Sequence, residues 1–220
     1  MIFVVVPAYN EEKQIGRVVR GLFEHGYGNV VVIDDGSTDN TVSEATLAGA
    51  KVLTHTLNRG QGAALQTGNE YALSAGAEVI VHFDADGQFN PADIAGGMEK
   101  ITNGGYEVVL GSRFLDGRSQ IPWFKKYFIL PLARIVNQFL TGVKLTDAHN
   151  GFRILSRTAA EKIQITQDGM SHNSEIVSQI CAYNLKYTEH PVEVVYHEFG
   201  QGIGGGIKNI KDFILGKFLN

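Results

Sequence analysis

Five short apolar runs, each followed by a polar turn, constrain the fold of this chain more than any other feature of its sequence. They occupy residues 3–6, 29–33, 51–54, 79–83 and 107–110, and helical patterns separate them. Short runs rich in β-branched residues indicate strands, and strands that alternate with helices indicate a parallel sheet. The sequence therefore predicts one α/β domain with a mostly parallel central sheet and helices on both faces.

Composition narrows the classes of function. The chain has 220 residues, a formal net charge of −4 and one cysteine, Cys181. A slightly acidic chain lacks the electrostatic signature of a nucleic-acid-binding protein, and one cysteine cannot form an intrachain disulfide. Met1 leads directly into the first apolar run without a basic segment, and no apolar run approaches the roughly 18 to 20 residues that span a bilayer. We therefore expect a cytoplasmic protein without signal peptide or transmembrane segment.

Polar side chains cluster where each predicted strand ends. Open α/β sheets bind ligands at the carboxyl ends of their strands. Ordinary turn propensity would explain one such cluster, but it would have to be invoked five times. A ligand site at this edge is therefore expected. Its candidate residues are Asn10, Asp34, Asp35, Asn58, Arg59, Asp84, Asp86, Ser112 and Arg113.

The turn after the fourth run has the pattern of a metal site. Asp84 and Asp86 lie one residue apart, and Gly87 and Gln88 follow them. Two hard oxygen donors at a strand end could both reach one Mg²⁺ or Mn²⁺, while substrate phosphates fill the open coordination positions. The alternative is a surface turn, since aspartate and glycine are common turn residues.

The second half of the chain carries two basic, apolar segments. Residues 121–140 mix aromatic side chains with Lys125 and Lys126, and the stretch 113–134 holds five basic residues and one acid. Residues 207–220 follow a glycine-rich stretch and predict an amphipathic helix. Such segments can bind an anionic lipid surface or an acidic substrate, although the first could instead be a core helix with a solvated basic face. We predict a domain over residues 1–200, then a hinge and amphipathic helix over 201–220.

Five motifs occur in order along the chain, namely residues 4–11, 32–39, 58–63, Asp84-Ala85-Asp86-Gly87-Gln88 and 111–114. Together they resemble the family 2 glycosyltransferases of GT-A fold, most closely the dolichyl- or polyprenyl-phosphate mannose synthase branch. The resemblance covers roughly residues 2–155 and is carried by the set rather than by any one motif. Within the domain it implies a nucleotide-sugar-binding half, residues 1–115, and an acceptor half, residues 116–200.

The resemblance implies inverting transfer of a sugar from a nucleoside diphosphate sugar, GDP-mannose or a UDP-sugar. Tyr9 matches the residue that packs on the base, and Asp35 matches the acid that hydrogen-bonds it. The donor-binding set so implied is Pro7, Ala8, Tyr9, Asn10, Glu11, Asp35, Arg59, Gly60, Asp84 and Ala85. The implied ligands of Mg²⁺ or Mn²⁺ are Asp84, Asp86 and Gln88.

The acceptor half is implied less specifically. Arg113 matches an arginine near the transferred sugar and the acceptor phosphate, and Asp147, Gly151, Phe152 and Arg153 match an acceptor-side segment. The candidate catalytic residues are Asp86, Arg113 and Asp147, and the candidate acceptor-binding residues are Arg113, Lys125, Lys126 and Arg153. A membrane surface or a membrane-protein anchor would be a further partner.

Two classes of acceptor stay open on the sequence. A polyprenyl phosphate is already an anion near neutral pH, so it needs positioning rather than deprotonation. A hydroxyl of a glycan would need a general base, for which Asp147 is the first candidate and Glu175 the second. Either carboxylate could instead be a capping or structural residue.

Three other functions are weaker alternatives. A sugar-phosphate nucleotidyltransferase should carry a basic glycine-rich loop near the N-terminus, and residues 7–11 do not form one. A dinucleotide dehydrogenase should carry Gly-x-Gly-x-x-Gly after the first strand, which is absent. A non-catalytic nucleotide-sugar-binding protein would be expected to have lost Asp84, Asp86 or Arg113, and all three are present.

Overall fold

A computed structural model describes residues 1–118, 145–147 and 150–195. Apolar runs form its strands, and segments with helical spacing cover them. The strands are β1 (Ile2–Ala8), β2 (Val30–Asp34), β3 (Lys51–Thr54), β4 (Val79–His82), β5 (Val108–Ser112), β6 (Arg153–Ser156) and β7 (Tyr187–Pro191). The helices are α1 (Ile15–Glu24), α2 (Thr41–Leu47), α3 (Gln61–Ser74), α4 (Asp93–Thr102), α5 (Arg157–Lys162) and α6 (His172–Ala182).

The strands form one mixed sheet in the order β3-β2-β1-β4-β6-β5-β7. Pairing is parallel except around β6, which runs antiparallel to both β4 and β5. The chain leaves β5 at its carboxyl end, and Arg153 then pairs with Leu110 near that same end. A strand that starts at this edge can only run the opposite way. The predicted mostly parallel sheet is confirmed, and β6 is its exception.

Alternate side chains of the strands face two separate hydrophobic cores. Val5 and Ile80 pack with α3, α5 and α6 on one face. Val4, Val6 and Val81 pack with α1, α2 and α4 on the other. This period of two is what a sheet buried on both faces requires. The prediction of helices on both faces is therefore confirmed.

Several element boundaries differ from those predicted, and the differences matter at the site. Asp34 is the last residue of β2 and Ser112 the last of β5, because both strands continue their ladders farther than the apolar runs. The prediction that these two residues follow their strands is therefore wrong. The last strand, β7, ends at Pro191 and lies at the sheet edge, where proline is tolerated.

Two predicted segments lie outside the described residues. They are the basic segment with Lys125 and Lys126, and the hinge with its amphipathic helix over residues 201–220. Within the part of the chain that the structure describes, no helix is long and apolar enough to cross a membrane. The predicted division of the chain at residues 115 and 200 stays a prediction.

Gly68 allows α3 to pack closely against β1, and we expect a side chain there to destabilise the fold. A Cβ at Gly68 would lie 2.2 Å from Val5 Cγ1 and 3.2 Å from Ile33 Cγ1, and both partners are fully buried. Gly68→Ala should therefore lower the free energy of unfolding by about 1–3 kcal/mol, because overpacking outweighs the gain in helix propensity. Urea denaturation measures this change.

Gly21 on α1 is the matched control. A Cβ there would meet only Pro91 Cγ, at an ordinary 3.7 Å. Gly21→Ala should raise the free energy of unfolding by about 0.5–1 kcal/mol through helix propensity alone. Equal effects of the two substitutions would contradict the tight crossing of α3 over β1.

Candidate active site

The carboxyl ends of the parallel strands meet along one edge and enclose a cleft of about 410 Å³. Loops after β1, β2, β3 and β4 supply its walls. The cleft contains all of the predicted donor-binding residues except Asn10 and Arg59. Its lining residues are Pro7, Ala8, Tyr9, Glu11, Asp35, Asn58, Gly60, Gln61, Ala64, Asp84, Ala85 and Asp86. The sequence motifs thus come together in space, while the role of each residue stays a prediction.

Asn10 and Arg59 support the walls of the cleft. Asn10 has a positive φ of 55°, and its Oδ1 accepts a hydrogen bond from the backbone N–H of Thr38 at 2.9 Å. The Asn10 backbone N–H donates to Ser37 Oγ, also at 2.9 Å. These bonds tie the loop after β1 to the loop after β2. Arg59 contributes its backbone N–H to the buried carboxylate of Asp35.

Asp35 organises the glycine-rich turn before α3. It is 3% exposed, and its oxygens accept hydrogen bonds from the N–H groups of Arg59 at 3.0 Å and Gly60 at 2.6 Å. His55 Nδ1 lies 2.7 Å from Asp35 Oδ1, and its Nε2 lies 2.9 Å from Thr67 Oγ1. Asp35 therefore fixes the turn that borders the cleft, and its carboxylate itself lines the cleft.

Asp84 and Asp86 face the cleft together with Glu11. Burial, followed by the charge of Asp86, raises the pKa of Asp84 to about 6. Burial, followed by the charges of Asp86 and Asp39, also raises the pKa of Glu11. Gln61 Nε2 donates to Asp84 Oδ1 at 2.9 Å, and the Gln88 backbone N–H donates to Asp86 Oδ1 at 2.9 Å. The site thus carries mutually repelling carboxylates.

These residues fit a divalent cation that the substrate helps to hold. Among the described residues, no group of three or more His, Cys, Asp and Glu side chains is arranged to hold a metal. Mg²⁺, however, is commonly held by one or two carboxylates plus substrate phosphates. Asp84 and Asp86 are hard oxygen donors. Burial, and after it the charge of Asp86, raises the pKa of Asp84, and a bound cation would favour its charged form. The pair therefore suits a metal–diphosphate complex better than a metal alone.

Arg113 and Asp147 form a two-pronged ion pair on the other side of β4. Arg113 Nε lies 2.6 Å from Asp147 Oδ2, and Arg113 Nη2 lies 2.7 Å from Oδ1. The Asp147 side chain is 2% exposed, whereas that of Arg113 is 24% exposed. The Asp147 carboxylate thus orients the guanidinium, and Arg113 is the more exposed member of the pair.

Neighbouring side chains hold Asp147 in turn. Glu189 on β7 accepts hydrogen bonds from the backbone N–H of Thr146 at 2.8 Å and of Asp147 at 3.2 Å. Asn150 Nδ2 donates to Asp147 Oδ2 at 3.3 Å. With both carboxylate oxygens engaged, accepting a proton would require Asp147 to give up part of this network. The geometry favours a positioning role over that of a general base.

Arg153 and Glu175, two further candidates from the sequence, are engaged by other groups of the protein. Arg153 is 1% exposed and lies beneath the cleft. Glu175 accepts hydrogen bonds from Thr166 N and Oγ1 and from Gln167 N, so it fixes the loop before α6. An acceptor contact by Arg153 and a base role for Glu175 stay predictions, and Lys125 and Lys126 lie outside the described residues.

Three supporting residues were not singled out from the sequence. Gln61 contacts Asp84, His55 contacts Asp35, and Glu189 holds the backbone of Asp147. Gln61 could have been found from the sequence, because it lies within the glycine-rich motif that opens α3. Glu189 could not have been found in this way, since only the pairing of β7 with β5 brings it beside residues 146–147.

His172 at the start of α6 should make the fold sensitive to acid. It is 1% exposed, and burial followed by the charge of Arg153 lowers its pKa from 6.5 to about 4. A histidine with a lowered folded-state pKa stabilises the fold above pH 6.5 and loses that contribution as the pH falls toward 4. We expect protonation of His172 to lower the free energy of unfolding by about 3 kcal/mol between pH 7 and pH 4.

His172→Gln isolates this effect, because glutamine does not titrate. Chemical denaturation of both proteins between pH 7 and pH 4 should show the free energy of unfolding of the wild type falling more steeply. Parallel pH curves for the two proteins would contradict the assignment.

Comparison with known proteins gives the family. The model of the glycosyl transferase family 2 domain matches residues 3–164. The UDP-N-acetylglucosamine–dolichyl-phosphate N-acetylglucosaminyltransferase of Methanococcus voltae is 32% identical, over 94% of this chain and 90% of the relative. The polyprenol monophosphomannose synthase of Mycolicibacterium smegmatis is 31% identical, over 90% of this chain and 78% of the relative. The chain therefore belongs to glycosyltransferase family 2 and is an enzyme of that class.

A solved structure shows the same fold. Glucosyl-3-phosphoglycerate synthase from Mycobacterium tuberculosis, in complex with Mn²⁺, uridine diphosphate and glucosyl-3-phosphoglycerate, matches with a TM-score of 0.70. The match covers 95% of this chain and 76% of the other at 18% identity. The likeness confirms the GT-A fold expected from the sequence.

Proposed function

We propose that this enzyme transfers a sugar from a nucleoside diphosphate sugar to a polyprenyl phosphate, with inversion and with a divalent cation. The observation that carries the acceptor class is the ion pair of Arg113 with Asp147, in which the Arg113 side chain stays 24% exposed. A guanidinium suits a phosphate, because it keeps its positive charge and presents several N–H donors. The relatives named for dolichyl phosphate and polyprenol support the same class.

The residues divide the reaction between two sides of β4. Tyr9, Asp35 and the turn at Gly60 border the space for the nucleoside, and Asp84 and Asp86 border that for the diphosphate. The carboxylates would hold Mg²⁺ or Mn²⁺, which when bound neutralises charge that develops on the leaving diphosphate. Arg113 would hold the acceptor phosphate so that its oxygen faces the anomeric carbon. The bond to the diphosphate breaks as the new bond to the acceptor oxygen forms.

This assignment requires no general base. A phosphate oxygen is already anionic near neutral pH, whereas a hydroxyl acceptor would need one. The two bases considered from the sequence, Asp147 and Glu175, both have their carboxylates engaged by neighbouring groups. This engagement favours the lipid phosphate over a glycan hydroxyl.

A polyprenyl phosphate places the reaction at a membrane surface. The basic segments over residues 113–134 and 207–220 would attract anionic lipids, so we expect salt-sensitive peripheral association, at the cytoplasmic face. A liposome-binding experiment tests both this association and the need for a separate membrane protein as an anchor. Co-sedimentation of the purified chain with anionic liposomes at low ionic strength would show that no anchor is needed.

A donor screen tests the proposed function directly. Purified protein, Mn²⁺ or Mg²⁺ and a panel of UDP- and GDP-sugars are incubated with and without a short polyprenyl phosphate, and release of the nucleoside diphosphate is followed. Release that requires the lipid phosphate would support the proposal and identify the sugar. Donor hydrolysis that is unaffected by the lipid, or transfer to a glycan hydroxyl, would contradict the proposed acceptor.

A further inference from the structure

A cluster of buried polar side chains lies directly beneath the metal-binding carboxylates. Its centre is Arg153, which pairs with His82 of β4 and with Leu110 of β5 and is 1% exposed. A guanidinium this deep in a sheet needs hydrogen-bond acceptors and negative charge around it. The groups around Arg153 must therefore supply these acceptors and this negative charge.

Arg153 lies between the two halves of the site. Its guanidinium donates to Asn173 Oδ1 and, at 3.5 Å, to the carbonyl of Gly151. Burial lowers the pKa of Arg153 to about 10, and the opposing influences are the negative charges of Asp84 and Asp147. One buried cation thus compensates both the metal-side carboxylate and the carboxylate that orients Arg113.

Gly151 contacts Asp84 from below. A Cβ built on Gly151 would lie 2.2 Å from Asp84 Oδ2 and 2.8 Å from its Cγ. Its backbone dihedral is not in the left-handed region, so the lack of a side chain is required by this contact rather than by φ. Gln61 holds the other oxygen, Oδ1, from above. The carboxylate of Asp84 is therefore enclosed by Gly151, Gln61 and the charge of Arg153.

Asn173 fixes the cluster from α6. Its Nδ2 donates to the carbonyl of Met170 at 3.2 Å, which sets the amide so that Oδ1 faces Arg153. Asn173 is 3% exposed. This residue and Arg153 therefore act through neighbours and do not reach the cleft.

We propose that Gly151, Arg153 and Asn173 form a positioning seat that holds the Asp84 carboxylate in place for the divalent cation. The inference rests on the metal-dependent function proposed above. It gives Arg153 a role through Asp84 and Asp147 rather than the acceptor contact that the family resemblance implies. Residues behind metal ligands commonly control affinity by fixing ligand orientation.

Gly151→Ala tests the seat, with Gly28→Ala as its matched control. Nothing lies within 4 Å of a Cβ at Gly28, which is exposed. Mn²⁺ binding is measured by electron paramagnetic resonance in the presence of UDP or GDP, without acceptor, so that no turnover is needed. Gly151→Ala should weaken Mn²⁺ binding by about 10–100-fold while nucleotide affinity in metal-free buffer stays unchanged. Gly28→Ala should match the wild type in both.

Arg153→Lys is the second variant, in case Gly151→Ala does not fold. It keeps the positive charge but cannot reach Asn173 and Gly151 with a planar fork, so a weakening of about 10-fold is expected. A role confined to folding would lower the melting temperature and leave the Mn²⁺ and nucleotide affinities of the folded fraction unchanged.

The outcomes separate the seat from the proposed function. A folded variant of either kind with wild-type Mn²⁺ affinity would overturn the seat and leave the function standing. A wild-type protein that binds no Mn²⁺ with either nucleotide would overturn the metal-dependent function, and the seat with it. Weakened Mn²⁺ binding with unchanged metal-free nucleotide affinity supports the seat.

Discussion

Replacing Asp86 by asparagine is expected to lower kcat by at least ~10³-fold, which corresponds to about 4 kcal/mol of lost transition-state stabilisation. Asparagine keeps the shape of the side chain and still offers one oxygen to the Gln88 N–H that Asp86 now bonds. It removes the negative charge that a cation at the diphosphate needs. Because that charge matters most as the diphosphate leaves, the loss should appear in kcat more than in the affinity for the donor nucleoside.

The same substitution should spare the fold. Asp86 lies on a cleft wall beside two other carboxylates, so removing its charge also removes repulsion of Asp84 and Glu11. We expect the melting temperature of Asp86→Asn in metal-free buffer to equal or exceed that of the wild type. Glu161→Gln on α5 is the control, since its carboxylate is 51% exposed in an (i, i+4) pair with Arg157. Full turnover by folded Asp86→Asn would refute the metal assignment.

Arg113→Lys should lower kcat by about 10²–10³-fold, because an ammonium cannot reproduce the two-pronged contact with Asp147 that orients the cation. In the structure Arg113 uses Nε and Nη2 for Asp147 and is still partly exposed. Lysine would keep the positive charge but lose the planar guanidinium that Asp147 orients. Steady-state kinetics with donor and lipid phosphate measure the effect, and Arg157→Lys on α5 serves as the exposed control.

A double-mutant cycle with Asp147→Asn decides between the two roles considered for Asp147. If the carboxylate acts by orienting Arg113, Asp147→Asn should slow the wild type by about 10–100-fold and add little in the Arg113→Lys background, because contacting residues are not additive. Additive effects of the two substitutions would instead show that Asp147 acts independently of Arg113, as a base would.

Site residues that directly follow a strand could be predicted from the sequence, whereas contacts that depend on how loops fold could not. Asp84 and Asp86 follow a run that could only be a buried strand, so their place at the sheet edge could be predicted. Asp35 was predictable as a site residue, but its bonds to the backbone at residues 59–60 depend on how the loop after β3 folds back. Arg153 was recognised by resemblance, yet its burial could not be foreseen, because an arginine in a short strand usually indicates an exposed position.

The sequence by itself determined the alternation of strands and helices, the double-sided core and the edge at which the candidate site lies. These follow from local periodicity and from the rule that parallel strands end at a common edge. Only the tertiary structure decided that β6 enters between β4 and β5 and runs against them. That insertion carries Arg153 and Gly151 beneath Asp84 and brings residue 147 to Arg113. The physical reason is that strand order depends on long-range pairing between segments some 70 residues apart, such as Ile80 with Leu155, which local pattern does not encode.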